Sequence, residues 1–185
     1  MSIDILFLCT GNVCRSPMAE AMLRRKLADA GVDARVHSAG LFFDGEPASE
    51  FGVDVLAERG LDISGHRSRK VTREVIEQAD LVIAMAREHV REAVLLCPEA
   101  WSRAFTLKEL ARRGAEVGVR FDESLPLWLG RVHGGRTRME LLGESHTDDV
   151  ADPMGSPRDA YVRTAAELDE LLDRVVDLAF RRQAA

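Results

Sequence analysis

Cys9, Cys14, Arg15 and Ser16 fall within the stretch "CTGNVCRSP" that ends at Pro17. Two thiols and a guanidinium at this spacing admit three chemistries: half of a metal site, a redox pair, or a loop that grips an anion and attacks it. Structural zinc takes four ligands, usually in paired short spacings with a matching histidine pair. Four residues separate Cys9 from Cys14, Cys97 is remote, and the histidines at 37, 66, 89, 133 and 146 show no pairing, so no metal is expected. A nucleotide P-loop is also a poor match, because "GNVCRS" lacks the Gly-Lys-Ser/Thr that closes such loops.

The anion chemistry fits the surroundings better. "IDILFL" (3–8) is a short apolar run that reads as a buried parallel strand, and Ser16-Pro17 reads as the N-cap and first position of a helix. A loop at that junction lies where open α/β sheets bind ligands, and its amides curl toward the positive end of the helix. Gly11 and Asn12 are the residues best suited to left-handed backbone angles. Arg15 supplies a planar fork for two oxygens of a phosphoryl group, and the same positive field favours a thiolate at Cys9. The alternative is a buried strand-end thiol beside a surface arginine.

The rest of the chain must position this loop. Further strands are expected at 34–40, 79–86 and 103–107, with helices at 48–60, after 86 as far as Leu96, and in "LKELARRG". The last helix opens on Ser156-Pro157-Arg158-Asp159, a capping-box arrangement. Tyr161, Ala165, Leu168, Leu172, Val175 and Ala179 form its apolar stripe. Strands alternating with helices predict an α/β three-layer sandwich, a parallel sheet covered on both faces. Residues 114–147 break the rhythm and read as an insertion within a single domain spanning 1–185.

Bulk properties bound the partners. A chain of 185 residues with 46% hydrophobic and 30% charged residues is long enough and apolar enough for one globular core. Its net charge of −6 speaks against a nucleic-acid partner. No apolar run approaches the ~18–20 residues of a membrane span. "MSIDILFLC" reads as a first strand rather than a signal peptide, and three cysteines without an export signal fit a cytoplasmic location. Nothing in the pattern sets an oligomeric state.

"CTGNVCRSPMAE" resembles the active-site loop of the low-molecular-weight protein tyrosine phosphatases, and the likeness continues in "VHSAG", "SGHRSRKVT", "ADLVIAMA", "FTLKEL" and "DDVADPMGSPRDAYVRTAAELDELL". The resemblance implies a four-stranded parallel sheet, a phosphorylated protein substrate, and neither metal nor cofactor. It implies that Cys9 attacks phosphorus and that Arg15 and the loop from Thr10 through Gly11, Asn12, Val13, Cys14 and Ser16 hold the phosphate. Asp152 of the Asp-Pro pair, rather than Asp148 or Asp149, is then the acid that protonates the leaving group and later activates water. Asn12, Ser16, Ser38 and His66 match positions that brace the loop, although unaided they read as an ordinary cap, a strand-end serine and a surface histidine. Cys14 matches a second cysteine able to trap oxidised Cys9 as a disulfide, or is a small buried filler.

The sequence departs from the family beside the site. Met154 stands where an aromatic is common, and Phe42 and Phe43 occupy a loop that supplies a cleft wall, or are core anchors. Val13 matches the tyrosine branch, whereas a branch acting on phosphoarginine carries Thr there. Thioredoxin-coupled arsenate reductases share the fold but need further cysteines, and Cys97 stands alone. A phosphate-binding module without turnover is the non-enzymatic alternative.

Overall fold

The computed structural model describes residues 2–181. Strand β1 (Ile3–Cys9) sends Ile5, Phe7 and Cys9 to one face of the sheet and Leu6 and Leu8 to the other, which is why it reads as an unbroken apolar run. It lies between β2 (Ala34–Gly40) and β3 (Leu81–Ala84), with β4 (Ala104–Thr106) outside β3; all pairings are parallel, in the order β2-β1-β3-β4. The chain leaves β1 toward β2 and then crosses back to β3. The loops after β1 and β3 therefore open on one crevice, the switch point of such sheets. This is the expected three-layer architecture.

One face is covered by α1 (Arg15–Asp29), α2 (Glu50–Ala57), α5 (Leu107–Val117) and α7 (Arg158–Ala179). The α7 stripe from Tyr161 to Ala179 is buried there at every position that its periodicity selects. The other face is covered by the short α3 (Arg73–Gln78) and α4 (Arg87–Leu96), through Ile76, Val90, Ala93 and Val94.

The stretch 114–147 holds the end of α5, then α6 (Leu125–His133) and a 3-10 turn at Arg138–Leu141. Trp128 enters the core of one face and Leu141 that of the other, so the segment wraps the β4 edge. Buried Arg136 secures it, donating to the Ala104 carbonyl (2.9 Å), the Trp101 carbonyl (3.0 Å) and both carboxylate oxygens of Glu109 (2.7 and 3.0 Å). Its guanidinium lies over the rings of Trp101 and Phe105, 3.9 and 4.2 Å from the centroids. An edge strand that would otherwise expose its carbonyls is thus closed.

Both expected serine caps differ. Helix α1 begins at Arg15 with Cys14 at the cap, and the Ser16 hydroxyl lies inside the first turn, turned to the loop. Helix α7 begins after Pro157, and its start has no side-chain cap from Ser156. In the first case a tertiary partner outbids the local amide; in the second the proline has moved the cap one residue along.

Candidate active site

The loop is organised around Asn12. Its φ of 55° is the left-handed turn expected of it. Its side-chain amide donates to Ser16 Oγ (2.9 Å) and Ser38 Oγ (2.7 Å), its Oδ1 accepts from the Arg69 amide (3.0 Å), and its carbonyl accepts from His66 Nε2 (2.7 Å). Its own backbone amide points at Cys9 Sγ, 3.2 Å away. Ser16 Oγ lies 2.9 Å from the same sulfur. A thiolate there can only accept, so against that form of Cys9 the Ser16 hydroxyl donates and two donors converge on the sulfur. Ser38 donates onward to Glu20 (2.6 Å). Asn12, Ser16, Ser38 and His66 are therefore brought together with Cys9.

Gly11 is present for a different reason than expected. It is not among the residues with positive φ; instead a Cβ on it would lie 2.7 Å from the Phe43 ring. The need is for space, created by the second of the two adjacent phenylalanines. Gly40, at the end of β2, is under the same pressure, since its Cβ would meet the Asn12 amide nitrogen at 2.7 Å. Val13 is buried, and its carbonyl accepts from the Ser49 amide (2.8 Å).

Arg15, at the start of α1, is buried and aims into the crevice. Its Nη1 donates to the Val150 carbonyl (3.0 Å), and its Nη2 to Thr10 Oγ1 (3.1 Å) and Asp152 Oδ2 (2.5 Å). Its Nε is buried with no acceptor among the described residues. An orphaned buried donor is costly, and an oxyanion is a group that would satisfy it.

The three neighbouring aspartates divide by partner. Burial works against ionisation of Asp148, but its bonds to Arg87 (2.7 Å) and Arg112 (3.2 Å) prevail and hold its carboxyl below the usual range. Asp149 accepts from the amides of Arg87 and Ser145, both at 2.8 Å. Asp152 is half-exposed and faces Arg15, its other oxygen receiving only the Met154 amide (3.1 Å). Of the three, it is the carboxylate whose one long-range partner is Arg15 of the loop.

Thr10, Arg15, Glu88, Asp149 and Asp152 line a cleft of about 440 Å³ that also takes in Lys108 and His146. Phe42, Phe43 and Met154 do not line this cleft, and the Phe43 ring packs beside Gly11 of the loop. Phe42 and Met154 are exposed, and Phe42 borders a separate groove with Leu41 and Lys70. Cys14 does not line this cleft, and its Sγ lies 3.5 Å from the Tyr161 hydroxyl. Burial pushes the Cys14 thiol up, and burial together with that contact pushes Tyr161 up to about 12.

Sequence reasoning missed His89, which is fully buried in the first turn of α4 with Nε2 2.9 Å from Thr10 Oγ1. Burial, reinforced by the Arg15 charge, lowers its pKa to about 3, so the ring is neutral. Its sole signal in the sequence is a position just after the strand that pairs with β1. Among the described residues no cluster of histidine, cysteine and acidic side chains has metal-ligand geometry.

A thiol held by the Asn12 amide and Ser16 Oγ, a guanidinium with a spare N–H and a half-exposed carboxylate can together bind an oxyanion, attack it and move a proton. The low molecular weight phosphotyrosine protein phosphatase family matches residues 4–120. A protein-arginine-phosphatase of Geobacillus stearothermophilus is 36% identical over 179 residues, covering 96% of each chain. A low molecular weight protein-tyrosine-phosphatase of Streptomyces coelicolor is 37% identical over 155 residues, covering 82% of this chain and 93% of the relative. The crystal structure of a low molecular weight protein tyrosine phosphatase from T. tengcongensis superposes with a TM-score of 0.72 at 37% identity, over 95% of this chain and 98% of that one. With the loop geometry, the sheet order and these likenesses in agreement, the chain belongs to the low molecular weight phosphotyrosine protein phosphatase family, whose members are cysteine-nucleophile phosphatases.

Proposed function

We propose that this chain hydrolyses phosphomonoesters on protein tyrosine through a phosphocysteine at Cys9. The observation that carries the proposal is the convergence of the Asn12 amide and the Ser16 hydroxyl on Cys9 Sγ, with the Arg15 guanidinium beside them. The Asn12 amide and the Ser16 hydroxyl hold the sulfur in the loop, and Arg15 with the amides from Thr10 to Arg15 stabilises the charge on the equatorial oxygens of the transition state.

In the first step Cys9 Sγ forms a bond to phosphorus as the ester P–O bond breaks, and the departing oxygen takes the proton of Asp152. In the second, Asp152 removes a proton from water, whose oxygen attacks phosphorus and releases phosphate and the thiolate. The Arg15–Asp152 contact has a consequence for the first step. A phosphoryl group that draws on the Arg15 guanidinium loosens its hold on Asp152, freeing that side chain to turn toward the leaving group.

Val13 supports the tyrosine reading. A phosphoarginine reading is favoured by one observation, the 36% identity to a protein-arginine-phosphatase over 96% of both chains. Arsenate reduction has less support, since Cys97 is buried and turned to Glu99 (3.5 Å). Retention of Cys9, Arg15 and Asp152 together speaks for turnover over phosphate binding alone. Cys14, in the same loop, is proposed as the partner of an oxidised Cys9. Residues 1–185 are read as one domain in which 114–147 closes a sheet edge. No helix among the described residues is long and apolar enough to cross a membrane, and a cytoplasmic site of action is part of this proposal.

The test is a side-by-side kinetic comparison on phosphotyrosine, phosphoarginine and phosphoserine peptides. The highest kcat/KM is expected on phosphotyrosine. A higher value on phosphoarginine would overturn the assignment while leaving the cysteine chemistry in place.

A further inference from the structure

His89 takes no part in the two steps above, yet it reaches the loop from the opposite wall of the crevice. Its Nε2 has two acceptors within reach, Thr10 Oγ1 at 2.9 Å and Glu88 Oε1 at 3.3 Å. Its Nδ1 is buried with no partner among the described residues. A neutral imidazole carries a single N–H. On Nδ1 that hydrogen would be a buried, unsatisfied donor, whereas on Nε2 it is bonded and a lone pair alone goes unmatched, which is the milder outcome. The ring therefore donates to Thr10.

The Thr10 hydroxyl then accepts twice, from His89 and from Arg15 Nη2 (3.1 Å). Both lone pairs are occupied, so its own hydrogen is left for a third group, and Thr10 lines the cleft together with Arg15 and Asp152. The same bond divides the Arg15 guanidinium. Nη1 goes to the Val150 carbonyl, Nη2 is shared between Thr10 and Asp152, and Nε is kept without a protein acceptor. Without Thr10 as a competitor, Asp152 would hold Nη2 alone.

We propose that His89 is a positioning residue for phosphoryl transfer: through Thr10 Oγ1 it sets the rotation of the Arg15 guanidinium and aims the Thr10 hydroxyl as an added donor to the bound phosphoryl group. This deepens the phosphatase reading and rests on it. His89 faces the cationic Arg15 and the carboxylate of Glu88, and burial with the Arg15 charge keeps it neutral in the working range of pH, so it orients a donor and exchanges no proton.

Two variants separate positioning from bulk. His89→Leu removes the donor and keeps an apolar side chain of similar size; His89→Gln keeps an N–H near the Nε2 position. On p-nitrophenyl phosphate His89→Leu is expected to lower kcat about tenfold with KM changed by less than about threefold. Its melting temperature is expected to match or exceed that of the wild type, because an unpartnered nitrogen has gone. His89→Gln is expected to recover most of the lost kcat. Thr10→Val should show the same loss as His89→Leu, and the double variant little more.

Imidazole ¹⁵N NMR of the wild type should show one Nε2–H tautomer that does not titrate between about pH 5 and 8. The proposal is overturned by a folded His89→Leu with unchanged kcat, by Gln losing as much as Leu, by additive Thr10 and His89 effects, or by an Nδ1–H tautomer. A wild type inactive on aryl phosphate would sink the phosphatase reading alone. Inorganic-phosphate titrations of the same variants, monitored by NMR, would still judge His89: weaker binding in His89→Leu than in His89→Gln supports it, and equal binding removes it.

Discussion

The two walls of the crevice are built in opposite ways. On the cysteine side, each polar group of Asn12 has a partner, and those partners come from β1, from β2, from α1 and from the 66–69 segment. The loop cannot shift without breaking several buried bonds at once. On the aspartate side, Asp152 is half-exposed, follows a loop and touches the opposite wall through the single Arg15 contact. A cradle for charge gains from being set in advance, since it then costs no reorganisation during reaction. The role proposed for Asp152, acid and then base, instead requires that it admit a leaving group and then water. Arg15 joins the two walls, and this is where the contrast can be tested.

Breaking the rigid wall should have the largest effect. Arg15→Ala removes a preorganised donor and should lower kcat on an aryl phosphate about 10²–10³-fold, read by steady-state kinetics. A loss of less than about tenfold would place the charge stabilisation elsewhere. The open wall comes next. Asp152→Asn should cost about 10²-fold, and more as the leaving group becomes a poorer one.

Asp148→Asn sharpens that assignment, because it should leave kcat within about threefold of the wild type while lowering the melting temperature by a few degrees. The pH dependence separates the two further. Folding holds the Asp148 carboxyl below its usual range, so the native state binds fewer protons there than the unfolded chain. That stabilisation is complete above the ordinary carboxylate value of about 4 and is lost as the pH falls through it. The acid-side loss of melting temperature should therefore be shallower in Asp148→Asn. Equal kinetic effects at 148 and 152 would reject the division of roles.

The smallest effect probes why Gly11 is glycine. Gly11→Ala should destabilise the fold through the clash with Phe43 by an amount typical of overpacking, about 1–3 kcal/mol, read as a lower melting temperature. The same change in a Phe43→Ala background should cost clearly less. Identical costs in both backgrounds would return the explanation to backbone conformation.

What was legible in the sequence follows the range of the interactions. Strand β1, the loop and the α7 stripe were readable because their signals are local: an apolar run, a thiol-to-arginine spacing, a 3.6-residue period. Ser16 misled as a cap because the same hydroxyl serves a turn amide or a sulfur equally well, and Cys9 lies across the loop. Gly11 misled because its constraint comes from Phe43, thirty-two positions away. Asp152 was singled out through family likeness alone, since an Asp-Pro pair says nothing by itself about an arginine at position 15. Arg136 and His89 carried no usable signal, because their meaning depends on the Ala104 carbonyl and on Thr10, which are adjacent in the fold and distant along the chain. The breaks in pattern at 114–147 hid a segment whose apolar residues serve both faces of the sheet.

The most direct measurement is to look for the covalent intermediate. Asp152→Ala, whose second step lacks its base, should accumulate phosphoenzyme when mixed with p-nitrophenyl phosphate and quenched in acid. Peptide mass spectrometry should then place the phosphoryl group on Cys9 Sγ, and Cys9→Ser should show neither turnover nor that thiophosphate. Hydrolysis that persists in Cys9→Ser near the wild-type rate, or a phosphoryl group trapped on any residue other than Cys9, would contradict the account.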